Sequence, residues 1–278
     1  MEQWLVDHKL PLGEWVKQVI EVLQNNSRLF DSISDTITFM VDGLTNLIML
    51  VPPLLFILLV AVLAYVLHRS IRLSIFVIVA LLLIVNLGYW DATVQTVSLI
   101  GYSAAVSVAI GIPIGILAAH RPWLYTALRP VLDMMQTLPT FVYLIPTIVL
   151  FGIGAAPGLI STVIFAIPAP IRLTYLGVAS VPPALKEAGQ AFGATPGQLL
   201  RKVEIPFAMP TIMAGVTQCI MLCLSMVVIA ALVGADGLGK PVVRALGSVN
   251  IPMGFESGLA IVVLAILLDG SANGRSAG

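Results

Sequence analysis

Long apolar runs, interrupted by short polar and basic stretches, occupy most of residues 44–269. A helix needs about 20 largely apolar residues to cross a bilayer. Seven stretches approach that length: 44–67, 71–90, 94–119, 137–155, 157–180, 207–234 and 254–269. The fourth and fifth are parted only by GIGAAPG (152–158), a Gly/Pro turn. The pattern predicts an all-α polytopic membrane protein of about seven spans. Ahead of them, residues 1–43 are mixed polar, with Leu12, Trp15, Val16, Val19 and Leu23 at helical spacing. That spacing predicts an amphipathic helix lying on the outer membrane surface or packed on its own protein. No basic start leads into an apolar core, so a cleavable signal peptide is not expected. The tail GSANGRSAG (270–278) reads as a linker or cloning scar.

Composition supports lipid as the solvent. The 278 residues are 59% hydrophobic and 10% charged, with mean hydropathy +1.03; soluble domains carry about 25% charged residues. The formal net charge is zero, so no global field points to nucleic acid. Basic residues are unevenly placed. Arg69, Arg72, Arg121, Arg129, Arg172, Lys186, Arg201 and Lys202 fall in or beside one set of loops, and Lys9, Lys17, Arg28, Lys240 and Arg244 in the other. The richer side is expected to be cytoplasmic, which puts the N-terminus outside and the C-terminus inside.

Candidate chemistry is sparse. Cys219 and Cys223 share a helix face but form no disulfide framework. His8, His68 and His120 do not cluster, and no carboxylate pair, metal set or nucleophile triad stands out. No catalysis is expected in this chain. GADGLGK (234–240) fits the first seven places of a phosphate-binding loop, but Pro241 stands where Ser or Thr would meet magnesium. A Gly-rich turn is the better reading.

The least apolar interruption within the runs is KEAGQAFGATPGQLLRKVEIP (186–206). Pro182 and Pro183 end the preceding span and can start a new helix. Leu185, Ala188, Gly189 and Phe192 then share a face, and Gly193 is placed to stop the helix. Thr195, Pro196 and Gln198 read as cap, first helical position and capping box. A second short helix with Leu199, Leu200 and Val203 should end at Pro206. Two short helices at an angle, lying at the membrane surface, are expected. Small side chains at Ala188, Gly189 and Ala191 let a partner surface approach closely; a solvated loop with incidental glycines is the other reading.

This stretch resembles the cytoplasmic loop of permease subunits of bacterial ABC importers. That family pattern is E-A-A, three residues, G, nine residues, then I-x-L-P. Here Glu187-Ala188-Gly189, Gly193 and Val203-Glu204-Ile205-Pro206 keep the spacing, with Gly for Ala, Val for Ile and Ile for Leu. MQTLPTFVYLIP (135–146), PAPIRLTYLGV (168–178) and LSMVVIAALVGADGLG (224–239) resemble the glycine betaine/proline, or choline, importer permeases. The resemblance covers about residues 90–269. It implies a type I ABC importer transmembrane domain: an extracytoplasmic segment 1–43, two peripheral spans in 44–90, and a core 91–269 with coupling loop 182–206. It also implies a second copy of the chain, two ATP-binding subunits and an extracytoplasmic substrate-binding protein, in the bacterial inner membrane. ATP and Mg would act on the ATPase rather than on this chain, and Glu187, Ala188, Gly189 and Gly193 would form the coupling helix.

The expected cargo is a quaternary ammonium compatible solute: glycine betaine, proline betaine, choline or a relative. Arg172, Gln218, Tyr143 and Phe141 are candidates for its path. Arg172 lies ~13 Å from the inner end of its span at ~1.5 Å per residue, where a charge faces protein or water or snorkels outward. Core packing or interhelical hydrogen bonds account for the other three equally well. Pro139, Pro146, Pro168 and Pro170 should kink the fourth and fifth spans. Gly111 and Gly115, with Pro113 between, allow close helix contact. An ion-coupled transporter or channel is the alternative, but the spans are nearly free of Asp and Glu and no internal repeat is clear.

Overall fold

The structure, a computed structural model, describes residues 12–24 and 27–273. Residues 1–11, with His8 and Lys9, the side chain of His68, and the end of the tail lie outside that set. The described residues form helices α1 (Leu12–Gln24), α2 (Ser27–Met49), α3 (Pro53–His68), α4 (Ile71–Asn86), α5 (Trp90–His120), α6 (Pro122–Thr137), α7 (Phe141–Phe151) and α8 (Ala155–Ala166). They continue through α9 (Pro168–Ala179), α10 (Pro183–Ala191), α11 (Pro196–Leu199), a π-helical turn (Leu200–Glu204), α12 (Ile205–Ser225), α13 (Val227–Leu232), α14 (Gly239–Ser248) and α15 (Ile251–Asn273).

Among the described residues, four helical stretches are long and apolar enough to cross a membrane, or six if each of two bent pairs counts as one span. The shorter apolar α4 answers to the remaining expected segment. Two expected spans are not continuous. Within 44–67, α2 and α3 meet at 94°. Pro52 and Pro53 are the reason, because neither offers an N–H to carry the helix ladder onward. At the start of 137–155, α6 and α7 meet at 95°, so that only α7 lies within the expected span. Pro139 at that corner forces Leu138 into extended backbone (ψ 137°). Pro168 acts differently: it opens α9 while α8 and α9 still read as one span, Ala155–Ala179.

The centre is α5, α9 and α12, held close by small residues. A Cβ on Gly111 would lie 2.8 Å from Pro170, and one on Gly115 2.7 Å from both the Ile171 carbonyl and Thr174. Gly177 faces Ala208 and Thr211, and Gly215 faces Leu173. Without a hydrophobic drive between helices in lipid, such close approach supplies the van der Waals contact. On one side α3 and α4 add Ile57, Ala61, Val77, Leu81 and Ile84 to a core shared with α5, α12 and α15. On another, α2 packs on α5 and α8 through Val41, Leu99 and Leu159. The amphipathic α1 packs on its own protein: Gln24 Nε2 donates to the Val149 carbonyl of α7 at 3.1 Å.

The phosphate-loop look-alike is a packed turn between α13 and α14. Gly234 and Gly237 take φ +91° and +132°. Gly234 lies against Ile153 and Gly154, and Gly237 against Thr96. Its amides are already engaged: Gly234 donates to Ala231, Ala235 to Ala230 and Leu238 to Thr96 Oγ1. These glycines serve close packing rather than a phosphate cradle.

Candidate functional site

Residues 182–206 form an elbow built from α10, α11 and the π-helical turn. Pro182 caps α10 and Pro183 opens it. Gly193 closes it at φ +76°; its N–H bonds the Gln190 carbonyl and the Ala194 N–H bonds Gly189. That is a Schellman stop. The Thr195–Gln198 capping box then starts α11, with both reciprocal bonds formed.

The second expected helix does not end at Pro206. One α-turn, Pro196–Leu199, passes through the π-helical turn into α12, so residues Pro196–Leu232 run as one stretch. The widened turn is the reason. The Ile205 N–H reaches back five residues to Leu200, and this relieves the ring of Pro206 that a regular α-turn would press on the preceding carbonyl.

Sequence reasoning missed what holds the elbow. Glu204 is only 2% exposed. Its Oε1 lies 3.3 Å from Lys186 Nζ on α10, and its Oε2 lies 2.8 Å from His120 Nε2 at the end of α5. His120 is fixed in turn by Nδ1, 2.9 Å from the Ile116 carbonyl. One buried carboxylate therefore joins the elbow, the root of α12 and the end of α5. The partners lie far apart in sequence, and the only signal was a charge adjoining an apolar run.

The predicted coupling residues divide. Gly189 faces its own chain: an added Cβ would lie 2.7 Å from Leu199 Cδ1, so its smallness lets α10 sit on α11. A Cβ on Gly193 would meet nothing within 4 Å. Glu187 and Ala188 point outward, and α10 buries no residue. Leu185 (44% exposed) and Phe192 (93%) project as well. Leu185, Ala188 and Phe192 form an exposed apolar stripe among the described residues. Arg201 and Lys202 are exposed as well.

Two of the four path candidates engage neighbouring residues of α6. Arg172 of α9 bonds Asp133 of α6 at 2.6 Å. It has a partner because residues 122–137 are a helix, α6, rather than a plain loop. Tyr125 and Tyr175 stack 3.5 Å apart between the same helices. Tyr143 is buried and its hydroxyl donates to the Met134 and Met135 carbonyls, so it clamps the α6–α7 corner. Phe141 and Gln218 are exposed.

The fold is shared with solved structures. The inward-facing MetNI methionine ABC transporter matches with TM-score 0.58 and 25% identity, over 64% of this chain and 89% of that one. An amino acid ABC transporter matches in fold, with TM-score 0.53 and 17% identity, over 70% of this chain and 93% of that one. The fold is that of a type I ABC importer transmembrane subunit. A family model, the binding-protein-dependent transport system inner membrane component, matches residues 111–273. The glycine betaine transport system permease protein OpuAB of Bacillus subtilis (strain 168) is 42% identical over 94% of this chain and 93% of its own. The glycine betaine/carnitine transport permease protein GbuB of Listeria monocytogenes is 44% identical over 94% of this chain and 93% of its own. The glycine betaine/proline betaine permease ProW of Escherichia coli (strain K12) is 40% identical over 94% of this chain and 73% of its own. The chain belongs to this family of inner-membrane permeases.

Proposed function

We propose that the chain is the membrane-spanning subunit of an ATP-driven importer of quaternary ammonium compatible solutes, the class to which the cargo named for OpuAB, GbuB and ProW belongs. It is non-catalytic, with ATP and Mg2+ bound by separate ATPase subunits. Two copies form the path between them, with residues 91–269 as core, 44–90 peripheral, and 1–43 extracytoplasmic. Each elbow, 182–206, faces the cytoplasm and docks on one of two ATP-binding subunits. The N-terminus is outside, the C-terminus inside, and a substrate-binding protein delivers solute to the outer face.

The observation that carries this reading is the elbow's division of labour. An apolar stripe at Leu185, Ala188 and Phe192 is left for a partner, while Glu204 ties its base to α5 and α12. Such a device passes displacement from a docked protein into the spans. Reconstitution with the partner ATPase and binding protein tests it. Radiolabelled glycine betaine uptake is expected only with ATP and the ATPase present. Uptake by this chain alone, driven by an ion gradient, would establish an ion-coupled transporter instead.

A further inference from the structure

A slot of about 260 Å3 runs between α3, α4, α5 and α15. Its walls include Val77, Val94 and Leu264, each almost fully buried, so it is a gap between helices rather than an outer face. At one end Phe56 meets Trp90 edge to face, with ring centroids 5.5 Å apart. At the other, Leu67 in the last turn of α3 and Leu73 in the first turn of α4 flank the connecting turn.

The lining suits hydrocarbon. Thr93 spends its hydroxyl on the Tyr89 carbonyl, and apart from the Trp90 indole the other lining side chains are wholly apolar. A buried water needs about two to four polar partners, so the slot stays dry. From Phe56 to Leu67 it follows ~16 Å of α3 at ~1.5 Å per residue. That is about half the ~30 Å hydrocarbon thickness of a bilayer. A void of this volume and length is too thin for another helix, which is ~10–12 Å across. It matches a single acyl chain reaching toward the midplane. Leu63 and Leu67 are exposed on its rim, where such a chain can enter from lipid.

The turn between Leu67 and Leu73 supplies the charge. Arg69 and Arg72 are exposed, and neither makes a side-chain hydrogen bond or ion pair among the described residues. Arg69 has φ +49°. Helix ends usually give this left-handed place to Gly or Asn. Backbone strain kept at a side chain with no partner among the described residues points to a contact outside the chain. The N-terminus of α4 opens at the same turn, where Ser70 accepts the Leu73 N–H, and its positive end adds to the arginines. Asp269, next after the lining residue Leu268, is a carboxylate on the neighbouring α15, and the two arginines outweigh it. Guanidinium groups grip phosphate through paired hydrogen bonds, and basic sites between membrane helices take anionic lipid headgroups.

We propose that this slot holds one acyl chain of an anionic phospholipid whose phosphate sits on Arg69 and Arg72, wedging α3 and α4 against α5 and α15. The site is independent of the solute carried. Native mass spectrometry of the detergent-purified full chain, given equal amounts of phosphatidylglycerol and phosphatidylcholine, tests it. One phosphatidylglycerol per chain should stay bound at collision energies that strip phosphatidylcholine. In thermal unfolding, phosphatidylglycerol should raise Tm saturably by several degrees, while glycerol 3-phosphate, a phosphate without acyl chains, should not. The double variant Arg69→Gln, Arg72→Gln should lose the preference for phosphatidylglycerol several-fold. Ala64→Leu, which fills the slot, should lower retention of both lipids. The lipid-free Tm of each variant reports that it folds. Equal retention of the two lipids by the unmodified chain, an equal rise in Tm with glycerol 3-phosphate, a preference that survives loss of both arginines, or retention undiminished by Ala64→Leu would each overturn the proposal.

Discussion

Glu204 is the residue on which the elbow turns. A buried carboxylate needs its partners more than they need it, since Lys186 and His120 keep access to water. Removing one partner of a buried pair leaves an uncompensated charge, at about 3–5 kcal/mol where burial is complete. Lys186→Met is therefore expected to lower stability more than Glu204→Gln, by at least ~1 kcal/mol, in thermal unfolding of the detergent-solubilised chain. Equal losses would mean that His120 alone satisfies the carboxylate. Arg172 and Asp133 are both partly exposed, and a pair of that kind contributes about 0–1 kcal/mol. A double-mutant cycle at Arg172→Ala and Asp133→Ala should return a coupling within that range. At Gly193 the left-handed backbone disfavours other side chains by roughly 1 kcal/mol. With open space at its Cβ position, Gly193→Leu should leave membrane insertion intact while it misaims the elbow. In reconstituted complexes, ATP hydrolysis should continue while uptake falls; unchanged uptake at equal expression would count against the coupling role.

At the scale of elements, the α5–α9–α12 crossing is the tightest joint. A side chain at Gly115 must push into the Ile171 carbonyl and Thr174, and overpacking of this kind costs about 1–3 kcal/mol. Gly115→Val should lower Tm by several degrees, whereas Gly101→Ala, with open space at its Cβ position, should leave it nearly unchanged. The Gly111–Gly115 contact was legible because three-residue spacing of small side chains has one geometric meaning. The capping box at Thr195 and the stop at Gly193 were legible for the same reason: cap chemistry is local. The kink at Pro139 was legible too, since a proline in an apolar run breaks the helix ladder, but the corner at Pro52 and Pro53 was not. Hydropathy registers solvent preference and carries no direction, so 44–67 read as one rod. The Glu204 knot was hidden because pairing across 84 residues depends on how helices pack, which no local pattern encodes.

Across the molecule, the elbow is a polar projection from an apolar bundle. It leaves Phe192 93% exposed, a poor placement for a large aromatic unless another surface covers it. Phe192→Ser should reduce co-purification of the ATPase by several-fold with little change in the stability of the isolated chain. Undiminished recovery would place the docking surface elsewhere.

The unbroken passage from α11 through the π-helical turn into α12 also restricts how the protein can move. A hinge there would unwind a turn whose buried carboxylate is held by an ion pair to Lys186 and a hydrogen bond to His120, leaving it stranded in an apolar setting. The elbow end of α12 and the tip of α5 must swing as one lever, so the give in this machine lies at its proline corners.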